Sequence, residues 1–120
     1  MKKALVIDDE EGLRLVIVEL LNMWDIEAHG MEDSEQALDF VNRQSGDIDY
    51  FFIDVNLPNI SGKELYHQLS ARFPNAVYVF MSGFAQDHDQ IDLPKEGHFE
   101  FLKKPFTMAQ LQKLMEKLVR

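Results

Sequence analysis

The sequence predicts a doubly wound α/β domain, in which a five-stranded parallel sheet is covered by helices on both faces. Short apolar runs typical of buried strands alternate along the chain with longer segments of helical periodicity. Such alternation indicates a parallel sheet whose strands are joined by crossover helices. The length of 120 residues and the hydrophobic content of 46% fit one domain with one substantial core.

Five apolar runs are the predicted strands. The first and third, Ala4–Ile7 and Tyr50–Ile53, are continuously apolar, as expected of strands that are buried on both faces. The second run is short, and we expect it to close at Gly30. The second, fourth and fifth strands are predicted at Ile26–His29, Ala76–Met81 and Phe99–Leu102.

Four segments have clear helical patterns. The second begins at an N-cap, Asp33, and the third and fourth begin at capping boxes, Ser61–Glu64 and Thr107–Gln110. All four carry apolar residues at spacings of three and four, which form one buried helix face. In chain order these faces comprise Leu13, Val16, Ile17, Leu20, Leu21 and Trp24; Ala37, Leu38 and Val41; Leu65, Leu69 and Phe73; and Leu111, Leu114, Met115 and Leu118.

Residues 84–97 lack a clear helical pattern. They are largely polar, and Pro94 and Gly97 interrupt any regular helix. We therefore expect a helix here that is short or irregular, which gives five helices in total. No linker or repeat divides the chain, so residues 1–120 are predicted to form one domain.

Composition excludes several classes of function. Twelve basic against 21 acidic residues give a net charge of 12 − 21 = −9, which repels nucleic acid. The chain has no cysteine and hence no disulfide or thiolate metal site. Only four apolar residues separate Lys3 from Asp8, too few for a signal peptide, and no apolar stretch is long enough to insert in a membrane. We therefore expect a cytoplasmic location.

Polar residues follow four of the predicted strands at the point where each ends. Asp8 and Asp9 follow the first strand, Asp54 the third and Ser82 the fourth, and Lys104 lies just beyond the fifth. The carboxyl ends of parallel strands meet at one edge of a sheet, where open α/β folds bind ligands. Carboxylates, a hydroxyl and an ammonium gathered at this edge indicate a divalent cation and a phosphoryl group.

The three aspartates are candidate metal ligands. Asp8 and Asp9 are adjacent and repel each other unless a cation lies between them, and Mg²⁺ prefers oxygen ligands. Asp54 can supply a third carboxylate, or can attack phosphorus to form an aspartyl-phosphate. Lys104 and the Ser82 hydroxyl would then stabilise the phosphoryl oxygens. Helix capping and solvation are the alternative explanation for each residue taken singly, but they explain the complete set poorly.

Five short motifs surround these strand ends in a fixed order: Val6-Ile7-Asp8-Asp9-Glu10, Ile53-Asp54-Val55-Asn56-Leu57-Pro58, Ser61-Gly62, Met81-Ser82-Gly83 and Phe101-Leu102-Lys103-Lys104-Pro105. Together they resemble the receiver domain of two-component response regulators, over the whole chain. The separations 54 − 9 = 45, 82 − 54 = 28 and 104 − 82 = 22 also resemble those of the family. The resemblance implies a flavodoxin-like strand order of 2-1-3-4-5 and a receiver domain over residues 1–120 with no output domain.

The resemblance implies a role for each acidic residue. Asp54 is the phosphoacceptor and also contacts the metal, which is Mg²⁺ or Mn²⁺. Asp9 binds this cation directly, and Asp8 binds it directly or through water. The backbone carbonyl of Asn56 completes the protein ligands.

The remaining site residues are implied to sense and hold the phosphoryl group. Ser82 is the switch hydroxyl, where many family members have threonine, and Lys104 is the phosphate-binding lysine. Phe101 is the switch aromatic, where tyrosine is common. The bond between Lys104 and Pro105 is expected to be cis, as is usual in the family.

The resemblance also implies partners. The donor is a phosphohistidine on a histidine kinase or a histidine phosphotransfer domain, and the receiver itself catalyses the transfer. A downstream protein target is possible, whereas direct nucleic-acid binding is not expected. The chain is then primarily a signalling module rather than an enzyme, and resembles receivers that are free-standing or attached to hybrid histidine kinases.

Two other functions remain open. A Mg²⁺-dependent phosphatase with an aspartate nucleophile usually carries a second acid two residues later, where this chain has Asn56. A degenerate receiver that acts as a scaffold is disfavoured by the intact set of Asp8, Asp9, Asp54 and Lys104 together with the Ser82 hydroxyl.

Two surfaces are candidates for protein contacts. Leu15 and Val18 fall off the main apolar face of the first helix and could dock a phosphotransfer helix bundle, although isolated exposed apolar residues are ordinary. The polar segment 84–97 puts in doubt a dimer formed through the fourth helix, the fifth strand and the fifth helix.

Overall fold

The computed structural model describes residues 1–83 and 98–119, and its centre is a five-stranded sheet. The strands are β1 (Lys3–Ile7), β2 (Glu27–Met31), β3 (Tyr50–Asp54), β4 (Val77–Ser82) and β5 (His98–Lys103). Every pair of neighbouring strands is parallel, in the order β2-β1-β3-β4-β5. The predicted fold class and strand order are confirmed.

Four helices connect or follow these strands within the described residues. They are α1 (Glu11–Met23), α2 (Ser34–Arg43), α3 (Gly62–Arg72) and α4 (Met108–Val119). The short or irregular helix expected within 84–97, and with it the question of a dimer through that region, lies outside the described residues. Among the described helices, none has the length and apolar composition to cross a membrane.

The sheet has a core on each face. Alternate residues of β1 point to opposite sides: Leu5 and Ile7 join the core beneath α2 and α3, whereas Ala4 and Val6 join the core beneath α1 and α4. All four side chains are fully buried. The doubly wound arrangement therefore buries the central strands on both faces, which explains why the sequence of β1 is continuously apolar.

The predicted helix starts are confirmed by their caps. The Asp33 side chain accepts a hydrogen bond from the Gln36 N–H (2.8 Å), and the Ser61 hydroxyl accepts one from the Glu64 N–H (3.2 Å). The capping box of α4 is reciprocal. The Gln110 N–H donates to the Thr107 hydroxyl (3.1 Å), and the Thr107 N–H donates back to the Gln110 side chain (2.8 Å).

The predicted end of β2 is wrong. The strand does not close at Gly30 but continues through it to Met31, which pairs with Ile7 of β1. The reason is the partner strand: β1 runs to Ile7, and the Asp8 N–H then donates to the Met31 carbonyl (3.1 Å). Pairing with a fully buried neighbour outweighs the weak strand propensity of glycine.

The prediction for α1 is also wrong at two valines. Val16, assigned to the buried face, is 40% exposed, whereas Val18, assigned to the exposed patch, packs against the core beneath α1 and α4. Both flank Ile17 on the border of the buried face, and the sheet covers the Val18 side. The exposed apolar residues on this part of α1 are therefore Leu15 and Val16.

Helix α3 begins against the end of β3, and this approach requires glycine. The Gly62 N–H donates to the Val55 carbonyl (3.0 Å). A Cβ atom on Gly62 would lie 2.5 Å from the Asp54 carbonyl oxygen and 2.7 Å from the Val55 Cα. The first turn of α3 thus packs directly against the backbone of Asp54 and Val55.

We expect Gly62→Ala to destabilise the protein by about 1–3 kcal/mol, because the added Cβ must push α3 away from β3. Urea unfolding measures this difference. Gly12→Ala is the matched control, because Gly12 also lies in the first turn of a helix but a Cβ added there would meet no atom within 4 Å. Equal stability of Gly62→Ala and wild type would show that the approach is not tight.

Candidate functional site

An ion-paired cluster lies at the carboxyl edge of the sheet. The Lys104 ammonium donates to Asp8 Oδ2 (2.7 Å) and to Asp54 Oδ2 (3.2 Å). Asp8 is fully buried, and Asp54 is 6% exposed. One cation thus joins the ends of β1 and β3 to the segment that follows β5.

Asp9 completes an acidic group with Asp8 and Asp54. One carboxylate oxygen from each of the three residues lies within 4.8 Å of the others. The three carboxylates outnumber the Lys104 ammonium and the Arg14 guanidinium, the cationic groups that contact this cluster, so negative charge is in excess. Oxygen ligands with this excess charge fit a divalent cation, so these residues could hold a metal ion.

One main-chain and one side-chain hydrogen bond hold the Asp8 carboxylate. Its Oδ1 accepts from the Glu10 N–H (2.8 Å), which leaves Oδ2 to Lys104. A third contact was not predicted: Arg14 Nη1 donates to the Asp8 backbone carbonyl (2.8 Å). No sequence motif indicates this bond, because its acceptor is a main-chain atom that every residue possesses.

The Asp54 carboxylate is oriented in the same way. Its Oδ1 accepts from the Asn56 N–H (3.0 Å), and its Oδ2 accepts from Lys104 (3.2 Å). The Val55 N–H donates to the Met81 carbonyl (3.0 Å), so the loop after Asp54 leaves the sheet alongside β4. The Asn56 carbonyl predicted to bind metal therefore belongs to a residue whose N–H already contacts the phosphoacceptor candidate.

Burial and charge perturb both members of the Lys104–Asp54 pair. Burial raises the pKa of Asp54 above its usual range, the nearby Asp8 charge adds to this effect, and the Asn56 N–H and Lys104 oppose it. Burial lowers the pKa of Lys104, but its contacts with Asp8 and Asp54 outweigh this and raise it overall. The ammonium stays charged, while the Asp54 carboxylate is less stable as an anion than it would be in water.

The two predicted switch residues lie on neighbouring strands. Ser82 is the last residue of β4 and is buried, and its backbone carbonyl accepts from the Lys104 N–H (2.7 Å). Phe101 of β5 is half-buried, with its ring centroid 5.6 Å from that of Phe80 in the core beneath α2 and α3. The bond between Lys104 and Pro105 is cis, as expected.

The sequence matches the family model of the response regulator receiver domain over residues 4–116. The chain belongs to this family. As a receiver domain of two-component systems, it has an acidic pocket of Asp8, Asp9 and Asp54 that fits phosphorylation. Receiver domains of this family interact with histidine kinases and downstream effectors.

Relatives of this receiver occur in different architectures. The sensor kinase CckA of Brucella abortus (strain 2308) is 29% identical over 116 residues, which are 97% of this chain but only 12% of the kinase. The chemotaxis protein CheY of Listeria monocytogenes is 26% identical over 121 residues, and the alignment covers 100% of both chains. The same fold therefore serves within a large kinase and as a separate chain.

A solved structure shows a similar receiver. The response regulator TrrA of Thermotoga maritima is 28% identical, with a TM-score of 0.75 and coverage of 98% of this chain and 99% of TrrA. That structure is a complex with Mg²⁺-BeF.

The pKa of Asp54 predicts how stability depends on pH. Because it is raised in the folded state, the folded protein binds more protons than the unfolded chain between the two pKa values, and stability falls as pH rises through this window. The Asp54→Asn variant does not lose stability in this way, because its side chain does not titrate. We therefore expect its free energy of unfolding, relative to wild type, to rise with pH from the ordinary pKa of an aspartate up to the raised pKa of Asp54 in the folded protein.

Urea unfolding of both proteins in EDTA, at several pH values, measures this difference. Asp47→Asn is the control, since Asp47 is exposed before the start of β3, at the opposite end from the cluster. A constant difference between Asp54→Asn and wild type would mean that Asp54 titrates normally in the folded protein.

Proposed function

We propose that this receiver accepts a phosphoryl group on Asp54 from a phosphohistidine donor, in a Mg²⁺-dependent reaction, and that phosphorylation changes its protein-binding surface. The observation that carries this proposal is the Lys104 ammonium bound to both Asp8 and Asp54 within a group of three carboxylates. A nucleophile, a cation and a candidate metal site thus occupy one edge of the sheet.

The reaction exchanges one bond to phosphorus for another. An Asp54 carboxylate oxygen attacks the phosphorus, the new P–O bond forms as the P–N bond breaks, and the electron pair goes to the imidazole nitrogen. The Asn56 N–H holds the other end of the Asp54 carboxylate in place. Lys104 exchanges its contact with Asp54 for one with a phosphoryl oxygen, and so stabilises charge where it develops.

Asp8, Asp9 and Asp54, with the backbone carbonyl of Asn56, are the residues that hold the cation. When bound, Mg²⁺ (or Mn²⁺) supplies charge neutralisation at the phosphoryl oxygens. The excess of carboxylate charge over the neighbouring cationic groups supports a divalent ion. The complex of the related TrrA with Mg²⁺-BeF supports magnesium as its identity.

The switch follows from new contacts with the phosphoryl group. The Ser82 hydroxyl donates to a phosphoryl oxygen, and Phe101 moves into the space that the Ser82 loop vacates. The equilibrium shifts by the difference in contact free energy between the two states, on the order of a few kcal/mol. Burial of Ser82 at the end of β4, next to β5, supports a coupling between these two positions.

A histidine kinase or a histidine phosphotransfer domain is the donor, and a downstream protein binds the surface that phosphorylation changes. Such a donor acts in the cytoplasm, and the receiver does so as well. The protein catalyses its own phosphorylation and dephosphorylation but is a signalling module rather than an enzyme for an external substrate. The similarity to the receiver of CckA and to CheY supports both a kinase-attached and a separate setting.

Incubation with Mg²⁺ and acetyl phosphate is expected to add the mass of one phosphoryl group to the intact protein, and EDTA or Asp54→Asn is expected to abolish the adduct. Intact-mass spectrometry at short times measures it. Asp47→Asn is the matched acidic control and keeps the adduct, because Asp47 lies at the opposite end of the sheet.

The alternatives give different results. A scaffold forms no adduct at any Mg²⁺ concentration. An aspartate-nucleophile phosphatase instead releases many equivalents of phosphate from a phosphomonoester such as p-nitrophenyl phosphate. Either result would replace the proposed function.

Lys104→Ala is expected to slow adduct formation by acetyl phosphate about 10²-fold, which is the order of effect when one transition-state donor is removed. Lys117→Ala is the control, because Lys117 pairs with Glu100 on α4 and β5 and is mostly exposed. Equal rates for Lys104→Ala and wild type would assign Lys104 to structure alone.

A further inference from the structure

The Arg14 side chain crosses from α1 to the end of β1. Arg14 lies in the first turn of α1, where its N–H donates to the Glu10 carbonyl (3.0 Å). Side chains on a helix lean toward its N-terminus, and the guanidinium of Arg14 reaches back to donate to the Asp8 carbonyl (2.8 Å). The half-buried stem of Arg14 lies over Gly30 on the way.

The acceptor of this bond is a special peptide unit. The Asp8 carbonyl belongs to the peptide that joins Asp8 to Asp9, so a bond to this oxygen fixes the plane between two of the three clustered carboxylates. The Asp8 side chain is held separately by Glu10 and Lys104. Rotation of this peptide plane would therefore turn Asp9 relative to Asp8.

Gly30 makes room for the Arg14 side chain. A Cβ on Gly30 would lie 3.0 Å from Arg14 Cγ, 3.1 Å from Cδ and 3.4 Å from Nε, and these are its three nearest atoms. The first two of these distances are shorter than ordinary van der Waals contact, so the Arg14 stem must shift by a few tenths of an ångström to admit a Cβ. A methyl group at residue 30 thus shifts the Arg14 side chain without altering any charge.

Electrostatics alone would not place an arginine here. The first turn of a helix disfavours a cation, and a cation near a metal site repels the metal. If Arg14 acted on the site only through its charge, its removal would tighten metal binding. A role in geometry predicts the opposite sign.

We propose that Arg14 is a positioning residue for the metal site, which sets the angle between the Asp8 and Asp9 carboxylates through the Asp8 carbonyl, and that Gly30 is required for this contact. The proposal rests on the Mg²⁺ site of the proposed function. Gly30, on the edge strand β2, thus has a role in metal binding although it is not itself a metal ligand.

Urea unfolding at increasing Mg²⁺ concentration tests this. The free energy of unfolding without Mg²⁺ reports on structure alone, and its increase with Mg²⁺ gives the dissociation constant of the site. Arg14→Ala and Gly30→Ala are each expected to raise this constant about tenfold, as loss of an outer-shell partner does. In the double variant, Gly30→Ala is expected to add no further increase, because the side chain it displaces is gone.

Gly12→Ala is the matched control, since Gly12 neighbours the same loop but a Cβ added to it would meet nothing within 4 Å. The dissociation constant of Gly12→Ala for Mg²⁺ is expected to equal that of wild type. If Arg14→Ala does not fold, Gly30→Ala alone decides the result, because it leaves every charge in place.

Three results overturn the inference, and they are distinguishable. If Mg²⁺ does not stabilise the wild-type protein, the metal site is absent and the proposed function is overturned with it. Stabilisation of wild type with unchanged dissociation constants in both single variants overturns only the role of Arg14. Tighter binding in Arg14→Ala shows that Arg14 acts through its charge.

Discussion

The buried contact of the Lys104 ammonium with Asp8 and Asp54 is the interaction on which the rest of the site depends. In the sequence, Lys104 lies 96 positions from Asp8 and 50 positions from Asp54. Removal of Lys104 would leave the two buried carboxylates of Asp8 and Asp54 without this cation, which is far costlier than loss of a surface ion pair. The parallel sheet makes the contact possible, because it brings the ends of three separated strands to one edge.

Much of this arrangement could be predicted from the sequence because strand ends are marked locally. Apolar runs that stop at Asp8 and Asp54 fix where these side chains leave the sheet, and alternation with helices makes the strands parallel. Caps at Asp33 and Thr107 are equally local and were also predictable. Each of these features depends on a few neighbouring residues.

Features that depend on packing between distant segments could not be predicted. Gly30 continues β2 because β1 pairs with it, and the two valines beside Ile17 differ only in which side the sheet covers. The Arg14 bond is of the same kind, since it joins a helix side chain to a main-chain oxygen. Such contacts are visible only when the elements have been assembled.

The raised pKa of Asp54 has a consequence for how such a domain changes over evolution. The buried anion makes the folded chain less stable than a neutral residue of the same size would. Random replacement of this aspartate by a neutral residue of its own size is therefore downhill in stability. A chain that keeps an aspartate at this position therefore keeps it against the preference of the fold.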